Sequence, residues 1–202
     1  PSSTLDRSSA ASDVYKRQSQ IAIMEINELT LSGLKLFLPK VYRDKRGFFC
    51  ETLRKSHLLQ SGIPYEFVQE NHSFSHRGVL RGMHFQRGQS KLIQVIVGTI
   101  FDVVVDIRQS SPTFGEWFGI YLSEEKPQLF FIPDGFAHGF CVISQIAHLI
   151  YKVSKYYDAE KEKQFSALDS ELAIAWPISD IIQSDRDISA PNFYKSVCES
   201  GL

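Results

Sequence analysis

Leu92-Ile-Gln-Val-Ile-Val97, Gly98-Thr99 and Ile100-Phe-Asp-Val-Val-Val-Asp-Ile107 follow one another without a break. Two β-branched runs of strand length, joined by a pair containing glycine, read as a β-hairpin. Working outward, Ser111-Pro-Thr-Phe-Gly115 reads as a turn, and Trp117 to Leu122 as the next strand. Glu124 to Pro127 is a polar loop before a strand over Gln128 to Ile132, and Pro133-Asp-Gly135 turns the chain again. Ala137 to Ile143 and Ala147 to Ser154 add two more strands. Upstream, the pattern of short strands broken by turn residues extends back to Leu34. Helix is scarce: Glu51 to Ser61 supports one short segment, and Pro177 and Pro191 limit any long helix in the tail. The expectation is an all-β fold, an antiparallel barrel that manages its edges by joining two sheets, which is the jelly-roll solution.

A chain of 202 residues with 43 % hydrophobic content is enough for one full core, so a single domain is expected. A formal net charge of −1 leaves no cationic excess to neutralise a phosphate backbone, which argues against a nucleic-acid partner. Cys50, Cys141 and Cys198 are odd in number and widely spaced, fitting neither a disulfide framework nor a zinc cluster, and a reducing cytoplasm is the natural setting. Apolar runs such as Leu129 to Pro133 are far shorter than the roughly 20 residues of a membrane helix, so no membrane partner is expected. Pro1 to Gln18 is rich in Ser and Ala and has no apolar periodicity. Residues 1–23 are therefore expected to be a non-native or disordered leader, with Met24 as the natural start and 24–202 as the domain.

His84 lies in Arg81-Gly-Met-His-Phe-Gln86, close to an arginine and just before the first long strand. That placement makes it a candidate base beside an anion site, although an isolated histidine is more often a hydrogen-bonded structural group. His138, in Gly135-Phe-Ala-His-Gly-Phe140, follows a turn and would share a strand face with Phe136 and Phe140. A metal-holding barrel would show two histidines one residue apart with a carboxylate nearby. Gly82 and Gln86 occupy the positions two before and two after His84, so no metal is expected. Arg43, Lys45, Arg46, Arg77, Arg81, Arg87 and Lys91 are ordinarily solvated residues, yet three arginines close to one histidine also suit a phosphate-bearing ligand. Gln69 and Asn71 alternate on one strand and offer amide hydrogen bonds on one face. Tyr151, Tyr156 and Tyr157 carry phenols near the end of the barrel, where packing is the plainer role. Ser184-Asp-Arg-Asp-Ile-Ser-Ala-Pro191 is by composition a loop, but a carboxylate there could orient the imidazole of His84.

Taken together, these residues resemble a known family. The segments Asp44-Lys-Arg-Gly-Phe-Phe-Cys-Glu51, Gln69-Glu-Asn-His-Ser73, Arg77-Gly-Val-Leu-Arg-Gly-Met-His-Phe-Gln86, Asp106-Ile-Arg-Gln-Ser-Ser-Pro-Thr-Phe-Gly115, Ile132-Pro-Asp-Gly-Phe-Ala-His-Gly-Phe140 and Tyr151-Lys-Val-Ser-Lys-Tyr-Tyr157 occur in the order seen in dTDP-4-dehydrorhamnose 3,5-epimerases, from about Met24 to Phe193. The resemblance implies a cupin-type double-stranded β-helix with short peripheral helices, no cofactor, a dTDP-linked nucleotide sugar as the small-molecule partner, and a homodimer. It implies His84 as general base, Asp187 as its carboxylate partner and Tyr151 as the acid on the opposite face of the sugar. Arg46, Glu51, Gln69, Asn71, Arg81, Lys91, His138, Glu162 and Arg186 are implied ligand contacts, with Tyr157 stacking on thymine. Arg186 stands where the family usually has lysine, and the two cations differ in shape.

The implied chemistry suits these residue types. A proton on a carbon beside a ketone is acidic because the carbanion delocalises as an enolate, and imidazole, with an ordinary pKa of roughly 6.5, suits its removal. Lys91 or a neighbouring donor would stabilise the enolate oxygen. A 3-epimerase, a 3,4-ketoisomerase and a non-catalytic nucleotide-sugar-binding barrel stay open beside the 3,5-epimerase reading.

Overall fold

The computed structural model describes residues 24–64 and 66–198, so the expected leader at 1–23 lies outside the described residues. Strands dominate: β1 (Glu25–Glu28), β2 (Lys35–Leu38), β3 (Val41–Asp44), β4 (Gly47–Cys50), β5 (Gln69–His76), β6 (Leu80–Gln86), β7 (Lys91–Val97), β8 (Thr99–Asp106), β9 (Trp117–Ser123), β10 (Leu129–Ile132), β11 (Phe136–Val142), β12 (Ile146–Val153) and β13 (Glu162–Gln164). Among the described residues three short helices accompany them, α1 (Lys55–Gln60), α2 (Asp185–Ile188) and α3 (Phe193–Val197). None of the described helices is long and apolar enough to cross a membrane. The expected segment at Glu51 to Ser61 thus shortens to α1. Arg54 at its N-cap makes no side-chain cap bond, and Glu51 pairs with the Arg54 guanidinium ahead of the helix.

A six-stranded sheet runs β1-β2-β10-β7-β12-β5, and a five-stranded sheet runs β13-β6-β11-β8-β9. The two close on each other as a cupin-type jelly roll. This arrangement corrects the hairpin expected at Gly98. β7 pairs with β10 and β12, whereas β8 pairs with β11 and β9 in the opposite sheet. Gly98, at φ +82°, turns the chain from one sheet to the other, and a Cβ there would lie 2.1 Å from the Ile146 carbonyl oxygen. The long apolar run of β8 has a different cause from hairpin pairing, because β8 is buried on both faces.

Alternation divides the β8 side chains between two cores. Ile100 and Val104 point between the sheets, where they join Ile93, Val95, Phe130, Phe136 and Leu149. Phe101, Val103 and Val105 point outward and are roofed by Phe165, Leu172, Phe193 and Val197 from the tail. A third cluster packs Leu58 of α1 and Ile63 onto Phe37, Leu92 and Phe131 on the outer face of the six-stranded sheet. The Asp106-to-Gly115 motif is a structural turn. Burial raises the Asp106 carboxyl, but bonds from Arg108, Thr113 and Ser111 outweigh it and hold the group down at about 2.

Candidate active site

One end of the space between the sheets is left open because the inward positions there carry polar groups in place of Ile, Val and Phe. The result is a cavity of about 350 Å³ whose lining includes His84, Tyr151, Asp187, Lys91, His138 and Arg81. A larger groove, about 540 Å³, lies between α1 and β5 and is lined by residues such as Leu53, Leu58 and Phe67. Volume alone favours that groove, but its titratable residues are Lys55, Glu66, Glu70 and Lys152, whereas the smaller cavity brings an imidazole, a carboxylate and a phenol together, the set that suits acid–base chemistry.

His84 enters the cavity from β6, in the five-stranded sheet, and its neighbour in register across β11 is His138. Gly82 and Gly139 let these strands approach: a Cβ on Gly82 would fall 2.6 Å from the Gly139 Cα. His84 Nε2 lies 2.6 Å from Asp187 Oδ1. Asp187 belongs to the short α2 and is fixed there by Ser184, whose hydroxyl donates to Oδ2 at 3.0 Å and accepts from the Asp187 backbone N–H. Burial raises the Asp187 carboxyl, but the His84 bond and charge, with Ser184 and Arg186, bring it below its ordinary value. Asp187 therefore stays ionised. With the carboxylate as acceptor, His84 carries its proton on Nε2, which leaves Nδ1 as the basic nitrogen.

Tyr151 enters from β12, in the facing six-stranded sheet, opposite Asn71 in register. Burial and the nearby Glu162 charge raise its phenol above the usual value, so it is held protonated. The imidazole and the phenol therefore line one cavity from two different walls.

Beneath them, Lys91 on β7 also faces inward. Burial lowers its ammonium to about 8, with the charges of Glu162 and Asp102 opposing the shift. Asp102 escaped the sequence reading. It is fully buried on β8, and His138 Nε2 lies 2.9 Å from its Oδ2. Burial raises the Asp102 carboxyl and lowers the His138 imidazole. A signal was present: one carboxylate interrupts Ile100-Phe-Asp-Val-Val-Val105, and a charge in such a run must have a buried partner.

At the mouth, Arg186 pairs with Glu162 at 2.7 Å, and Gln69 donates to Asn71 Oδ1 at 2.8 Å. Tyr157 is exposed beside them and also lines the cavity. Of the expected contacts, Gln69, Asn71, Arg81, Lys91, His138, Tyr157, Glu162 and Arg186 come together here. Arg46 and Glu51 do not. Arg46 pairs with Asp44 in the turn of β3 and β4, a two-stranded hairpin that joins neither main sheet, and Glu51 follows it, paired with Arg54. Arg77 and Arg87 also lie elsewhere, Arg77 bonding to the Ile143 carbonyl. Among the described residues, no three His, Cys, Asp or Glu side chains are grouped so as to hold a metal ion.

Known proteins resemble this chain in both sequence and fold. The family model described as dTDP-4-dehydrorhamnose 3,5-epimerase matches residues 28–195. The dTDP-4-dehydrorhamnose 3,5-epimerase of Shigella flexneri is 43 % identical over 174 residues, covering 84 % of this chain and 96 % of that protein. A crystal structure of the dTDP-6-deoxy-D-glucose-3,5-epimerase of Legionella pneumophila, in complex with dTDP-4-keto-L-rhamnose, superposes with a TM-score of 0.81 at 45 % identity, covering 84 % of this chain and 93 % of that one. A 3'-monoepimerase of Streptomyces bikiniensis, in complex with dTDP-quinovose, has a TM-score of 0.76 at 34 % identity, covering 82 % of this chain and 86 % of that one. On the matched family model and on identity of this extent, the chain belongs to the dTDP-4-dehydrorhamnose 3,5-epimerase family.

Proposed function

We propose that the protein converts dTDP-4-dehydro-6-deoxy-D-glucose to dTDP-4-dehydro-L-rhamnose by inverting C3 and C5. The observation that carries this reading is the His84–Asp187 pair on one wall of the cavity and Tyr151 on the facing wall. C3 and C5 flank the ketone, and in the gluco ring their hydrogens project from the same face. One base therefore serves both carbons. His84 Nδ1 takes the proton, the electron pair of the C–H bond moves into the enolate, and Lys91 donates to the oxygen that becomes negative. The Tyr151 phenol then returns a proton from the other face, inverting the centre. Asp187 stabilises the imidazolium formed meanwhile. Arg81 and Arg186 supply cationic donors for the diphosphate, and Tyr157 stacks on thymine, so that remote binding holds the ring in register.

Incubation with the 4-keto substrate in heavy water tests the reading directly. Deuterium at both C3 and C5 of an L-configured product is expected. Label at C3 alone would assign the protein to the monoepimerases, whose fold it shares, and no label at either carbon would leave only a binding barrel.

The pH profile offers a second check. Lys91 is most useful protonated, so the rate is expected to fall as pH rises through about 8. The ionisable groups sharing the cavity with it are Arg81 and His84 on β6, His138 on β11, Tyr151 on β12, Tyr157, Glu162 on β13, and Arg186 and Asp187 on α2, with Asp102 on β8 close enough to act on its charge. Tyr151, being raised, stays protonated through that limb. Lys91→Met should therefore flatten the profile above pH 7, and an unchanged limb would assign it to another group.

The homodimer belongs to the same proposal. Arg46 and Glu51 lie outside their own chain's cavity, at the turn and the end of a hairpin with exposed Phe48 and Phe49, and pairing of two copies would bring such a hairpin to a partner's cavity. Light scattering should return twice the chain mass of 23.0 kDa. A reducing cytoplasm suits the three cysteines, all of them free thiols.

A further inference from the structure

The segment between β12 and β13 carries two adjacent tyrosines, Tyr156 and Tyr157, both exposed. Exposed loops with no ladder partners are ordinarily mobile. Here the backbone is tied down group by group. Gln86, the buried last residue of β6, donates through Nε2 to the Tyr156 carbonyl at 3.0 Å. Its Oε1 accepts the Asp158 N–H, also at 3.0 Å. Between these two bonds, the Tyr157 N–H donates to Gln69 Oε1 at 3.0 Å. Just before them, Gln89 Nε2 donates to the Lys155 carbonyl at 3.0 Å, and Ser90 and Ser154 exchange bonds. Beyond them, the Asp158 carbonyl accepts from Lys161 and Glu162 and starts β13.

Gln86 is not among the residues lining the cavity. It nonetheless brackets Tyr157 on both sides, using a donor and an acceptor on the same amide. Glutamate could not donate and leucine could do neither, so the residue type matches the task. A side chain bonded in this way sets the path of the backbone and with it the direction of the Tyr157 ring. We infer that Gln86 is a positioning residue that presents Tyr157 as a preformed aromatic platform for the base of the nucleoside diphosphate. The inference rests on the nucleotide-sugar reading of the cavity and adds to it the reason the platform is rigid before ligand arrives. Preorganisation of this kind raises affinity by removing the cost of ordering the loop on binding.

The test uses the full-length enzyme and dTDP as probe. Gln86→Met keeps the volume and removes both bonds. The Kd for dTDP and the KM for the nucleotide sugar are expected to rise at least about tenfold while kcat changes less than about twofold, because the platform is remote from the reacting carbons. Gln86→Glu keeps the acceptor for the Asp158 N–H and should fall between. Combined with Tyr157→Ala, Gln86→Met should add nothing further, since the platform is already gone. Unchanged affinity in Gln86→Met, additive losses in the double variant, or a fall in kcat at constant KM would each overturn the inference. Should the variant fail to fold, hydrogen exchange in the unaltered enzyme decides: slow exchange of the Tyr157 and Asp158 amides without ligand supports the clamp, and fast exchange overturns it. If the unaltered enzyme does not bind dTDP, the nucleotide reading fails first and the role of Tyr157 with it. If it binds dTDP and the Gln86 variants bind equally well, only the clamp is lost.

Discussion

His84→Asn is expected to lower deuterium incorporation at C3 and C5 at least about a hundredfold while dTDP binds within about threefold of the unaltered affinity, the ordinary consequence of removing a general base. Asparagine keeps a hydrogen-bonding group near Asp187 but has no basic nitrogen, so the cavity retains its shape and loses its base. The Asp187 carboxylate loses the His84 bond and charge that lower it most, and has no imidazolium to stabilise. Exchange is the right readout because it reports proton removal whether or not a proton returns on the other face. Exchange at the unaltered rate would move the base elsewhere, and His138, adjacent across the β6–β11 pairing, would be the first candidate.

Tyr151→Phe is expected to separate two halves of the reaction that His84→Asn abolishes together. The base is intact, so the enolate still forms and takes deuterium back from the His84 side. The proton donor on the facing wall is gone, so inversion should fall by about two orders of magnitude or more. Deuterium appearing in substrate of unchanged configuration, with little epimer, is the expected signature. Tyr151 is half-buried and its hydroxyl is hydrogen-bonded to the Asn71 side chain, so a modest loss of stability, on the order of 1 kcal/mol, accompanies the change. Full epimerisation by this variant would remove Tyr151 from the acid role and with it the two-wall arrangement on which the mechanism depends.

Much of the molecule was legible along the chain for local reasons. Strand runs, their turn residues and the alternation that sets His138 beside Phe136 and Phe140 follow from periodicity and turn chemistry, which act over a few residues. The pairing of those strands did not follow. Two β-branched runs around Gly98-Thr99 have the sequence of a hairpin, yet β7 and β8 lie in different sheets, since the same short turn serves equally well as a corner between layers. The apolar continuity of Ile100 to Val105 was visible, but the tail that makes the second face buried comes from residues 165–197, too distant in sequence for any local pattern to reveal.

Residue chemistry was likewise present in the sequence from the start: an imidazole at 84, a phenol at 151 and a carboxylate at 187, in segments whose order marks the family. Their meeting was decided only by tertiary structure. His84 and Asp187 are separated by 103 residues, and the 2.6 Å bond between them exists because α2 closes over one end of the five-stranded sheet. The buried Asp102–His138 pair and the Gln86 clamp have the same origin. Composition and spacing set which groups the chain owns, whereas desolvation and hydrogen bonding, which give those groups their charge and direction, depend on neighbours that only the closed pair of sheets provides.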